Sequence, residues 1–280
     1  MVSTKRPTGP IVVMAFQGWN DAADAATGAI DFLAEAFPTE TVASMDDDRY
    51  FDFQLTRPNL VVSASGEREV AWPTITLEVC HLPKRDVMLL SGPEPNLHWR
   101  DFVAWLDQTI QALKPSMIVL LGAMLTDAPH SRAFEVSGLA PRALLSKLAL
   151  EPNDYEGPIG IVGVLSHHFE HHGTAKLVNM WVSVPHYTAP PPNPKAELAL
   201  LERLQVVLDV ELNLARMRAD VTQWVAHIDH LLEEDPDMAD YVAELESQSD
   251  AETVPQGTGD TLAAAFERYL FDERDGDVKP

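Results

Sequence analysis

The sequence predicts an α/β protein: a mostly parallel sheet with helices on both faces, followed by a C-terminal helical portion. Four or five strand-length runs are uniformly apolar instead of alternating, as strands buried on both faces are. These runs alternate along the chain with helix-length segments, the pattern of strand–helix–strand units.

The first unit is the clearest. Ile11 to Phe16 reads as a buried strand, and Asp21 to Phe37 reads as a helix with Ala22, Ala26, Ala29, Ile30, Leu33 and Phe37 near helical spacing. Gly18 suits the tight turn between them, and Asn20 or Asp21 can cap the helix. Thr41–Met45 and Leu60–Val62 are further strands. Ile75, Leu77 and Val79 alternate across Trp72–His81, with Ser65-Gly66-Glu67 as a hairpin turn before them. Val87–Leu90 leads through Ser91–Asn96 into a helix whose face carries Trp99, Phe102, Val103, Leu106, Ile110 and Leu113. Met117–Leu121 and Ile159–Leu165 are expected strands. A His-rich helix is expected over Ser166–Leu177, and Met180–Val184 is expected as the last strand.

The character changes at the proline run Pro190-Pro191-Pro192-Asn193-Pro194. The expected division is an α/β core over 1–192, a helical subdomain over 193–248, a flexible linker over 249–259 and an amphipathic helix with its tail over 260–280. Leu214, Met217, Val221, Trp224, Ile228 and Leu231 form a heptad-like seam, with Leu198, Leu201, Leu204 and Leu208 as a partner stripe.

Formal charge is −23, and Glu233 to Pro280 holds 15 acids against 3 bases, about half of the excess. A chain this acidic is repelled by phosphate backbones and anionic lipid, so neither nucleic acid nor a membrane is an expected partner. The lone cysteine, Cys80, rules out an internal disulfide and reads as a buried, inert thiol. No secretory signal or membrane span is visible, and the cytoplasm is the expected compartment.

The chain contains no phosphate loop, no G-x-S-x-G elbow and no dinucleotide fingerprint. His167-x-x-Glu170-His171 matches the inverted zinc-peptidase pattern, with two imidazoles one helical turn apart and Glu170 as a general base. No third ligand is marked. The plainer reading, exposed imidazoles on a helix, is preferred, and no metal, cofactor or catalytic residue is expected. The strand ends supply the remaining candidates. Gln17, Gly18, Trp19, Asn20 and Asp21 follow the first strand; Glu94 and Asn96 follow the fourth. Asp127, His130 and Arg132 lie beyond Gly122, and His186 follows the last strand. In a parallel sheet these loops share one edge and form a crevice for a ligand or partner.

Several segments together resemble one family: Phe16-Gln17-Gly18-Trp19-Asn20-Asp21-Ala22, Ala25–Ala29, Arg57-Pro58, Gly92–Trp99, Gly122-Ala123, Asp127–Arg132, Val184–Tyr187 and Asn193–Ala196. The combination resembles the proteasome assembly chaperone 2 family in the form carried by actinobacteria, from about Pro10 to the final helix. The resemblance implies a three-layer, phosphorylase-like core and self-association, with a trimer among the options. It also implies a protein partner, a proteasome-like particle, because eukaryotic relatives are chaperones of proteasome ring assembly and not enzymes. The alternative is a small-molecule-binding, hydrolytic or transferase enzyme working in the strand-end crevice, similar to nucleoside phosphorylases or carboxylate–amine ligases. The last residues, Asp277-Val278-Lys279-Pro280, do not match the hydrophobic-Tyr-any tail with which chaperones of this group dock on proteasome rings.

Overall fold

The structure is a computed structural model and describes residues 9–63, 65–151 and 155–253. Among these, seven strands form the main sheet in the order β2-β5-β6-β1-β7-β9-β8. The strands are β1 (Ile11–Gln17), β2 (Thr39–Met45), β5 (Ile75–Leu82), β6 (Arg85–Pro93), β7 (Met117–Thr126), β8 (Val136–Leu139) and β9 (Lys176–Pro185). The four central strands β6, β1, β7 and β9 are parallel, whereas β2, β5 and β8 join by antiparallel pairing.

Period-two alternation sends each central strand to two cores at once. Ile11, Val13 and Ala15 of β1 join one buried cluster with α1 (Ala25–Ala36) and α5 (Pro194–Leu208). Val12, Met14 and Phe16 join the other with α2 (Trp99–Ala112) and α4 (Ile161–His172). Helices therefore cover both faces. From α5, Ala196, Leu200, Leu201 and Leu204 are buried in the same cluster as the sheet and α1.

Gly122 permits a close approach within the sheet. It stands opposite Trp181, and a β-carbon there would lie 2.6 Å from the indole ring.

Several local expectations change. Ile159–Leu165 is not a strand: Ile161 opens α4, which runs to His172, and Lys176 already begins β9. A short apolar run buried on one side cannot be told from a strand by periodicity alone. The hairpin at Gly66 closes on a separate short strand, β4 (Arg68–Ala71), paired with β3 (Asn59–Val62), and both strands are exposed. β8 and the short helix α3 (Arg142–Leu148) were not anticipated.

Leu214 is buried in the first core just before α6 (Ala215–Glu234); the rest of the seam lies on α6, which buries none of its residues fully, although Met217 and Trp224 pack on that core. A further helix, α7 (Pro236–Thr253), occupies part of the expected linker; the helix expected over 260–280 lies outside the described residues. No helix among the described residues is long and apolar enough to cross a membrane.

Candidate functional site

Because β1, β6, β7 and β9 run the same way, their carboxyl ends share one rim. Gln17 pairs with Pro93 across β1 and β6, and Thr126 pairs with Pro185 across β7 and β9. The loops carrying Gln17–Asp21, Glu94–Asn96, Asp127–Arg132 and His186 thus open on the same edge of the sheet.

Most of these polar groups bind the protein itself. Asp21 is buried, and its carboxylate accepts from the Ala26 amide at 2.6 Å and from the Thr27 amide and hydroxyl, tying down the start of α1. Burial nevertheless raises its pKa to about 6. Glu94 accepts from the Ile161 amide at 2.7 Å and so caps α4 from across the rim. Asn96 accepts from the Asp52 amide at 2.9 Å and the Thr56 hydroxyl at 3.0 Å, pinning the segment after β2. Asn20 is fully buried; its backbone carbonyl accepts from the Ala123 amide, and both of its side-chain polar atoms lack a partner among the described residues. Gln17 and Trp19 face solvent, Trp19 with 63% of its surface exposed.

The second half of the rim is covered by α6 and α7. His130 is 1% exposed. Its backbone N–H donates to the Tyr187 hydroxyl at 2.7 Å, and its Nδ1 lies 2.8 Å from the same oxygen. Since that oxygen accepts from the backbone, its own hydrogen is free to donate to Nδ1. With Nδ1 accepting from that hydroxyl, Nε2–H donates to Asp229 of α6 at 2.9 Å, the arrangement of an Nε2–H tautomer. Burial pushes Tyr187 up to about 12 and Lys195, whose ammonium donates to the His130 carbonyl, down to about 8. Arg132 binds Asp250 through two N–H groups and Glu246 at 3.6 Å, while Ser131 donates to Glu246. Asp127 accepts from Tyr241 at 3.2 Å and lies 3.3 Å from His186. The rim partners Asp229, Tyr241, Glu246 and Asp250 escaped the sequence reading. For Glu246 and Asp250 the only signal was an acidic stretch that equally suits a solvated helix face.

A cavity of about 620 Å³ lies beside Trp19, between α4 and the face of β7, β8 and β9. It separates the rim candidates. Gly18 and Trp19 line it, and so do His167 and Glu170 of α4, whereas Asp127, His130, Arg132 and His186 do not. The rings of His167 and His171 lie 4.2 Å apart, and His171 Nδ1 is bonded to the His167 carbonyl. No group of three or more His, Cys, Asp or Glu among the described residues is placed to hold a metal ion. Cys80 is buried, and burial raises its thiol pKa.

The PAC2 family model matches residues 15–232. The chain belongs to the PAC2 family, the proteasome assembly chaperone 2 family of the sequence resemblance. Among solved structures, a Mycobacterium tuberculosis proteasome-assembly chaperone homologue is 41% identical, with a TM-score of 0.75 over 83% of this chain and 99% of that one. A PAC2 family protein from Streptomyces avermitilis is 39% identical, with a TM-score of 0.73 over the same shares. An archaeal homologue of proteasome-assembly chaperones from Pyrococcus furiosus shares the fold at 14% identity, with a TM-score of 0.59 over 88% of this chain and 95% of that one. No curated protein matches the chain.

Proposed function

We propose that this PAC2 family protein is a non-catalytic assembly factor that binds protein, working in the cytoplasm as a homo-oligomer, a trimer being the state to test first. The observation that carries the reading is the 41% identity, over 99% of its length, to a proteasome-assembly chaperone homologue. The rim supports it. Asp21, Glu94, Asn96 and His130 are each engaged in holding helices and loops. Acid–base catalysis needs such groups within reach of a substrate proton, and here they are committed to the scaffold.

The test is a deletion strain in the native host. Assembly of the proteasome-like particle is followed on native gels, and tagged protein is used to capture its subunits at stoichiometric yield. Impaired assembly with capture of those subunits is the expected result. Normal assembly together with no captured subunit overturns the reading. Light scattering of the purified chain gives the oligomeric order directly.

A further inference from the structure

We propose that the cavity between α4 and the sheet is a binding site for a flat aromatic molecule that carries an N–H donor, a primary amide or amine. The inference stands on the cavity alone and is independent of the assembly role. About 620 Å³ lies within the range of roughly 300–1,000 Å³ that small-molecule sites occupy.

The walls set the shape. Trp181 and Leu139 line it from β9 and β8, and Trp19, Leu125 and Ile159 line it while keeping about half or more of their surface exposed. Exposed apolar side chains gathered round a cavity mark a ligand groove more often than chance exposure does. Two indoles lining one cavity favour a ring that can stack or meet them edge to face.

Asn179 sets the chemistry. It stands on the same face of β9 as Trp181, lines the cavity and is 6% exposed. Its Nδ2 donates to Ser166 Oγ at 2.9 Å, which leaves Oδ1 buried with no partner among the described residues. Nearly all buried polar atoms in folded proteins are paired, so an orphaned acceptor in a cavity wall calls for a donor. A ligand N–H supplies one. Glu170 lines it from α4, beside His167, and no Lys or Arg among the described residues lines the cavity. Phosphates and carboxylates would meet the Glu170 carboxylate there, with His167 as the one imidazole among the described lining residues, so the proposed ligand is neutral or cationic.

Fluorine NMR on the full chain tests this with para-fluorobenzamide as the probe, against para-fluorotoluene, which lacks the donor, and para-fluorobenzoate, which is anionic. The amide is expected to bind saturably, and both controls at least about tenfold more weakly. Leu125→Trp, at a half-exposed position on the cavity wall and with folding checked by its melting transition, adds bulk to the cavity and is expected to weaken the amide by about tenfold or more. Asn179→Leu, with folding checked by its melting transition, is expected to weaken the amide while leaving the toluene unchanged. No saturable binding of the amide overturns the proposal. So does equal binding of the toluene, and so does full binding to the Leu125→Trp protein.

Discussion

The guanidinium of Arg132 grips both carboxylate oxygens of Asp250, with Nε 2.7 Å from Oδ1 and Nη2 2.8 Å from Oδ2. The pair joins the loop after β7 to α7 and holds both pKa values toward their charged forms. Such a planar fork is specific in geometry even where solvent weakens it.

Arg132→Ala should therefore act locally. Backbone amides of α7 should exchange with solvent several-fold faster, about threefold to tenfold, while the main melting transition stays nearly in place. Hydrogen-exchange mass spectrometry over 236–253 reads the first effect and calorimetry the second. A large loss of global stability with unchanged exchange in α7 would contradict this account of the pair.

Tyr187→Phe should cost more than its single oxygen suggests. It strips the partner from both the backbone N–H and the Nδ1 of a buried histidine. An unpaired buried donor or acceptor costs about 1–3 kcal/mol. Denaturant titration measures the loss. Nitrogen NMR of His130 should show the Nε2–H tautomer in the parent and its disturbance in the variant.

Gly160 lies against Asn20 so closely that an added β-carbon would sit 2.1 Å from its Oδ1. Gly160→Ala should destabilise by about 1–3 kcal/mol through overpacking. Adding Asn20→Ala removes the obstructing amide, so the two changes should couple by at least about 0.5 kcal/mol in a double-mutant cycle. Strict additivity would show that the close approach has no energetic weight.

Glu197 of α5 gives a pH dependence with a defined sign. Its carboxyl sits against Gly28 of α1, with Asp31, Glu35 and Asp220 nearby, and burial followed by these charges raises its pKa from 4.5 to about 7. The folded state binds the proton more tightly than the unfolded one. This contribution is full below about pH 4.5 and is lost as pH rises through 7. Glu197→Gln should thus match the parent in acid and exceed its Tm at pH 8, by a shift on the order of 2–4 °C. Equal melting curves across that range would refute the assignment.

The parallel core was legible because chemistry and geometry agree there. Ile11–Phe16 and Met117–Leu121 are apolar on both faces, which only a covered sheet tolerates. Where a run is apolar for another reason the reading fails. Ile161, Val162 and Leu165 are buried because one side of α4 faces the sheet, yet in sequence they look like a strand. The short pieces β4 and β8 carry too few residues to show a period. At the rim, the order of loops follows from strand direction. The partners of His130 and Arg132 on α6 and α7 lie 99 to 118 residues downstream, and no local pattern announces a contact at that distance.

That separation has a consequence for biosynthesis. A ribosome adding roughly 5–20 residues each second needs about 6–24 s to travel from Arg132 to Asp250. For that interval Arg132 waits without Asp250 while β9, α5 and α6 emerge, and its guanidinium stays hydrated. The closing strap therefore arrives as the last described piece of the chain. A message cut short before codon 236 would leave Asp127, Ser131 and Arg132 without the partners that α7 supplies.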